Sequence, residues 1–136
     1  MDLHRFITAQ QQIYPQALAE IRNGRKTSHW MWFIFPQLKG LGHSSNALYY
    51  GVTDLAEATA YLRHPVLGAR LVEISHALLL LAGKNATAVM GSPDDLKLCS
   101  SMTLFSRVPE ADPLFGQVLE KYFQGKKDVR TIALLA

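Results

Sequence analysis

The sequence is poor in cysteine and has no long apolar run. Cys99 is the single cysteine of the 136 residues, which excludes an internal disulfide and a cysteine-rich zinc site. The most apolar stretch, residues 71–82, contains Glu73 and His76 and falls well short of the roughly 20 residues that a membrane span needs, so it predicts a core helix. The opening MDLHRF lacks the apolar core of a signal peptide, and a reducing, cytoplasmic location is expected.

Charge is also scarce. Charged residues make up 18% of the chain and hydrophobic residues 49%, a composition that excludes intrinsic disorder. The net charge of +3 is too small to indicate a nucleic-acid-binding protein. There is no internal repeat, low-complexity tract or linker. The length fits one globular domain over residues 1–136.

What the chain does contain is a succession of short amphipathic segments with helical spacing. No long alternating pattern of the kind typical of strands occurs. In residues 65–82, Leu67, Leu71, Ile74 and Leu78 recur at the spacing of a buried helix face. We therefore predict an all-α domain of seven or eight short helices packed around a central apolar helix at residues 65–82.

Capping signals place several of these helices. Asp54, followed three residues later by Glu57, forms a capping box. The sequence Ser-Pro-Asp-Asp at residues 92–95 predicts a helix with the serine at its N-cap. Pro15 predicts that a new helix begins near it. Thr27 or Ser28 could cap the apolar segment at residues 29–35, where periodicity cannot separate a buried helix from a buried strand and Ser28 favours a helix.

The first candidate site lies where cations and tryptophans adjoin. Lys26, Ser28 and His29 stand directly before Trp30 and Trp32. A cation can bind a phosphate, an indole can bind a planar ring, and a helix start adds unpaired backbone N–H groups. The alternative is that the tryptophans belong to the core and the cations are solvated, because aromatic-rich runs are usually buried.

The second candidate is the loop at residues 37–45, which holds Lys39, Gly40 and Gly42 and leads into a helix. Glycines allow backbone amides to approach an anion closely. The segment matches neither a P-loop nor a dinucleotide-binding fingerprint. A simple turn between two helices is therefore the alternative interpretation.

The third candidate is the helix predicted between Pro93 and Arg107. Lys97 and Ser101 lie one turn apart, and Ser100 adds a hydroxyl on a neighbouring face. Serine is unfavourable in the interior of a helix, so the presence of Ser100 and Ser101 there calls for an explanation. It indicates either a ligand-binding face or a place where two helices pack closely.

The remaining residues carry weaker signals. Cys99 is expected to be a buried, inert thiol. The histidines show no metal-ligand spacing, and no hydrolase or metalloprotease motif is present. No cofactor and no metal are therefore expected.

One motif is highly specific: GRKTSHWMWFIFPQ, at residues 24–37. Together with HPVLG at residues 64–68 and SSMTLF at residues 100–105, it resembles a bacterial and fungal family of unknown function, many of whose members are labelled calpastatin. The likeness covers nearly the whole chain. It implies a small, mainly α-helical fold and supplies no established activity, cofactor or catalytic residue. An inhibitor of the calpastatin kind is expected to be long, disordered and repetitive, which this composition is not.

We expect a protein that binds or acts on a small anionic, nucleotide-like metabolite. In this hypothesis His29 and Lys97 are the candidates for catalysis. The candidates for ligand binding are cationic, hydroxyl and indole side chains: Lys26, Ser28, Trp30, Lys39, Ser100, Ser101 and Arg107.

The alternative is a protein-interaction module without catalysis. It predicts a contiguous exposed patch made by four aromatic side chains: Trp30, Trp32, Tyr49 and Tyr50. A nucleic-acid partner ranks last, no membrane partner is expected, and the sequence identifies no protein partner.

Overall fold

The computed structural model describes residues 2–136, and over that range the chain forms nine helices and no β-strand. The predicted all-α class is confirmed, whereas the predicted number of seven or eight helices is too low. The helices are α1 His4–Arg22, α2 Met31–Ile34, α3 Ser45–Tyr50, α4 Leu55–Arg63, α5 Leu67–Leu80, α6 Ala86–Met90, α7 Asp94–Ser106, α8 Leu114–Phe123 and α9 Val129–Leu135. None of these helices combines the length and apolar character needed to cross a bilayer.

The core is built on two helices. Leu67, Leu71, Ile74 and Leu78 are buried, so α5 presents the predicted apolar face. Helix α5 packs against α1, α4 and α8, while α7 packs against α4, α6, α8 and α9. Helix α7 therefore shares the interior with α5, and it also carries side chains to the edge of the protein where α9 begins.

Two of the predicted helix starts are wrong. Helix α1 continues through Pro15. Proline has no N–H to donate to the Gln11 carbonyl, but both residues are exposed, so water can hydrogen-bond to that carbonyl instead. Helix α2 begins only at Met31, and its N-cap is Trp30 rather than Ser28.

The other two capping signals have different outcomes. Asp54 is confirmed as the N-cap of α4, since its Oδ1 accepts a hydrogen bond from the Glu57 backbone N–H at 2.9 Å. At α7 the N-cap is Pro93, with no side-chain cap, so Ser92 does not have the predicted role. The helix itself spans most of the predicted 93–107 segment.

Candidate functional site

The segment predicted to bind an anion is occupied by one from its own chain, the carboxylate of Glu20. Glu20 Oε1 accepts hydrogen bonds from the backbone N–H of Thr27 at 2.8 Å and of Ser28 at 3.0 Å, and from the Trp30 indole N–H at 3.0 Å. The Ser28 hydroxyl donates to Oε2 at 2.7 Å. Burial alone would raise the pKa of Glu20, but these hydrogen bonds and one from Gln16 lower it to about 2.

Most side chains of the first candidate segment are therefore buried or already paired and are not available to bind a ligand. Trp30 is 0% exposed. Lys26 lies 4.9 Å from the Trp30 ring centroid, and its ammonium pairs with Asp94 Oδ2 at 2.9 Å and donates to the Ser28 carbonyl. His29 is exposed and lies outside the cleft described next.

An open cleft of about 600 Å³ lies at the edge of the protein where α7 meets α9. Three segments far apart in the sequence form it: residues 41–47, residues 93–100 and residues 127–130. Trp32 and Gln37, from the segment around α2, complete the wall. Its volume falls within the range of about 300–1,000 Å³ that is typical of small-molecule sites.

Cations dominate the charged lining of the cleft. Lys97, Lys127 and Arg130 all line it, against the single carboxylate of Asp128. Arg130 Nη2 donates to the Leu41 carbonyl at 3.3 Å and so connects two walls of the cleft. An anion entering the cleft would therefore meet a favourable potential.

Lys97 is held in place by an acid and a ring. Its ammonium lies 3.4 Å from Asp94 Oδ1 and 4.8 Å from the centroid of the Trp32 ring. The same Asp94 carboxylate pairs with the buried Lys26. Lys26 thus contributes to the cleft indirectly, since it fixes the acid that orients Lys97.

Ser100 reaches the cleft from the middle of α7. Its hydroxyl lies 3.1 Å from Asp128 Oδ2 and 3.2 Å from the Leu96 carbonyl. Asp128 is the N-cap of α9 and accepts from the Thr131 backbone N–H at 3.1 Å. This bond between Ser100 and Asp128 joins α9 to α7 at the floor of the cleft.

Cys99 is half-buried rather than buried as predicted, and it lines the cleft, but its environment disfavours a nucleophilic thiolate. Burial and the nearby Asp128 carboxylate both raise the pKa of the Cys99 thiol. Among residues 2–136, no group of three or more His, Cys, Asp or Glu side chains is placed to hold a metal ion.

Three further predicted residues lie away from the cleft. Ser101 is completely buried, and its hydroxyl has no hydrogen-bond partner among the described residues. Arg107 is exposed at the C-cap of α7, and at 1.5 Å per residue it stands about 15 Å along the helix from Lys97. Lys39 is exposed, and its backbone N–H donates to the Val52 carbonyl.

The structure therefore brings Lys97 and Ser100 together out of the nine predicted site residues. Six further side chains share the cleft with them. Trp32 belongs to the first candidate segment, and Gln37 and His43 belong to the second, whereas sequence reasoning missed Lys127, Asp128 and Arg130. His43 could have been selected from the sequence, because it lies in the glycine-containing loop at residues 37–45. No local pattern distinguishes Lys127 and Arg130 from ordinary surface cations.

The aromatic patch predicted for a protein-interaction module does not form. Trp30 is buried, Trp32 and Tyr50 are half-buried, and Tyr49 is the one ring of the four that is exposed. Tyr50 packs on Phe33, with ring centroids 5.3 Å apart.

The fold and the cleft together define a small all-helical protein with a cationic cleft at one edge. Residues 1–135 match the family described as protein of unknown function, DUF1810. The chain belongs to this family.

A solved structure has the same fold over nearly the whole length of both chains. It is the crystal structure of the conserved hypothetical protein Rv1873 from Mycobacterium tuberculosis, 51% identical, with a TM-score of 0.96 over 98% of this chain and 96% of that one. No curated protein sequence matches the chain at a significant level.

Proposed function

We propose that the protein binds a small anionic metabolite carrying a planar ring, in the cleft between α7 and α9. The observation that carries this proposal is the placement of three cations, Lys97, Lys127 and Arg130, around one cavity of about 600 Å³ whose wall includes Trp32. Surface cations that are scattered over convex faces would give no such concentration of charge.

Charge recognition rests on the cations that internal acids do not neutralise. Within residues 2–136, neither Lys127 nor Arg130 forms an ion pair, and Lys97 shares Asp94 with Lys26. A phosphate or carboxylate group gains charge-assisted hydrogen bonds from such side chains. The anionic part of the ligand therefore lies among Lys97, Lys127 and Arg130.

Ring recognition rests on Trp32. The side chain is half-buried, and the Lys97 ammonium lies over its ring, so the indole is fixed by packing and by a cation–π contact. Leu41 and Leu96 add apolar surface to the same cleft. A flat, weakly polar ring fits this wall better than a fully hydrated sugar does.

The two tryptophans make a direct test available. Trp30 is fully buried and Trp32 lies in the cleft wall, so a bound ligand changes the emission of Trp32 and leaves that of Trp30 as background. Fluorescence and thermal unfolding are to be followed while ADP, ADP-ribose, glucose 6-phosphate and pyrophosphate are titrated. We expect the adenine compounds to quench emission and to raise the melting temperature with concentration.

Substitutions of cleft residues test whether the ligand binds in the cleft. Trp32→Phe should abolish the fluorescence change, and Lys97→Met and Arg130→Met should each weaken binding about five- to tenfold. Lys84→Met is the matched control, because Lys84 is exposed and lies outside the cleft. The proposal would be contradicted if none of the four compounds binds, or if the cleft substitutions leave the affinity unchanged.

A further inference from the structure

The cleft contains one acidic group among its cations, and that group has an unused acceptor. Asp128 Oδ2 accepts from the Ser100 hydroxyl at 3.1 Å, the Thr131 N–H at 3.1 Å and the Thr131 hydroxyl at 2.5 Å. No group of residues 2–136 donates to Asp128 Oδ1. Because the internal bonds all converge on Oδ2, Oδ1 is the oxygen left for a bound molecule.

The neighbouring cations do not neutralise Asp128. The ion pairs of the described residues are Arg5–Glu57, Lys26–Asp94 and Lys97–Asp94, and none includes Asp128. A carboxylate beside a phosphate site repels the phosphate, so on charge alone Asp128 weakens anion binding. The arrangement favours a ligand that supplies a hydrogen-bond donor to this carboxylate as well as an anion to the cations.

We infer that Asp128 Oδ1 accepts a hydrogen bond from a sugar hydroxyl, and that the cleft is selective for ribonucleotides. The inference rests on the proposed function and specifies its ligand. The base lies at Trp32, the phosphates lie among Lys97, Lys127 and Arg130, and the ribose contacts Asp128. A carboxylate is the strongest acceptor for a hydroxyl group, whereas a deoxyribose without that hydroxyl leaves the charge unsatisfied beside the phosphates.

The experiment compares ADP with 2′,3′-dideoxy-ADP in fluorescence or calorimetric titrations. Both compounds carry the same base and phosphates, so the ratio of their dissociation constants measures recognition of the sugar hydroxyls alone. We expect the wild-type protein to bind ADP at least tenfold more tightly. In Asp128→Asn and Asp128→Ser the ratio should fall below about threefold.

Both substitutions keep the N-cap of α9, and any loosening of α9 weakens the binding of the two ligands alike and cancels in the ratio. Asparagine and serine are both good N-cap residues and can still accept from the Thr131 N–H, so α9 retains its cap. Asp112→Asn is the matched control, because Asp112 accepts from the Leu114 N–H at the start of α8 and lies outside the cleft. Its ratio should equal that of the wild type.

The possible results separate the two proposals. Equal binding of ADP and the dideoxy compound, with Trp32 responding to both, would overturn the inference about Asp128 and leave the proposed function standing. A preference for ADP that survives both Asp128 variants would also overturn it. No binding of either compound would overturn both proposals.

Discussion

Glu20 shows how one side chain can use the donors of a whole motif. Its carboxylate accepts five hydrogen bonds, from Gln16, Thr27, Ser28 (twice) and Trp30. Residue types alone predicted that these donors bind the anion of a ligand, whereas in the structure they bind the Glu20 carboxylate. Residue types could not show that the anion is Glu20, because a turn after α1 separates Glu20 from those donors and only the folded chain brings them together.

Glu20→Gln should destabilise the protein by about 2–4 kcal/mol. The amide keeps the shape of the carboxylate but removes its charge, and its NH2 group faces donors that previously found an acceptor. Urea unfolding measures the change. Glu120→Gln, on an exposed position of α8, removes the same charge and should change stability by less than about 0.5 kcal/mol. Equal effects of the two substitutions would show that the hydrogen-bonded cluster contributes nothing.

The pKa of Glu20 also predicts how stability depends on pH. Its value in the folded protein, about 2, is below the ordinary 4.5, so the unfolded chain takes up the proton first as the pH falls. The contribution of Glu20 is therefore complete above about pH 5 and declines as the pH falls from 4.5 toward 2. The difference in unfolding free energy between wild type and Glu20→Gln should shrink over this range, and a constant difference would contradict the assignment.

At the scale of elements, helix boundaries were predictable where a single side chain determines them. Asp54 caps α4 as expected because its interaction partner, the Glu57 N–H, lies three residues away. The start of α2 was not predictable, because the Ser28 hydroxyl that would cap a longer helix donates to Glu20 instead. Local signals fail where a side chain from another part of the chain competes for the capping group.

The contact between α4 and α5 provides a prediction at this scale. Gly68 lies in the first turn of α5, and a Cβ atom there would stand 1.9 Å from the Leu62 carbonyl oxygen. Gly68→Ala should therefore force the two helices apart and destabilise the protein by about 3 kcal/mol or more. Thermal unfolding provides the measurement.

Gly116 is the matched control for Gly68. It lies in α8, and nothing stands within 4 Å of a Cβ placed there. Gly116→Ala should leave stability unchanged or raise it by up to about 1 kcal/mol, because alanine has the higher helix propensity. Similar effects at both positions would mean that the α4–α5 contact can relax at little cost.

At the scale of the whole molecule, the cleft depends on long-range convergence. Arg130 donates to Leu41, a residue 89 positions earlier in the chain. The α7 helix and its Lys97 and Ser100 were recognisable because they share one periodic segment. Lys127 and Arg130 were not, because acids balance them locally and their place in the cleft arises only when α9 docks beside α7.

The docking of α9 is therefore the feature that joins the stability of this region to the formation of the cleft. Thr131 is completely buried, its hydroxyl donates to Asp128, and the Asp128 N–H donates to the Thr103 hydroxyl at 2.9 Å. Helix α9 packs chiefly on α7, so we expect it to open while the remaining core stays folded.

Thr131→Val keeps the volume of the side chain and removes its hydroxyl, so it should loosen α9 without unfolding the core. Hydrogen exchange in residues 127–136 should accelerate about tenfold, while the urea midpoint of the whole protein moves little. Thr59→Val is the control, since the Thr59 hydroxyl donates only to Leu55 within α4. Because the loosened segment carries Lys127 and Arg130, ADP affinity should fall in Thr131→Val and not in Thr59→Val. Faster exchange spread evenly over all helices would show instead that α9 and the core unfold as one unit.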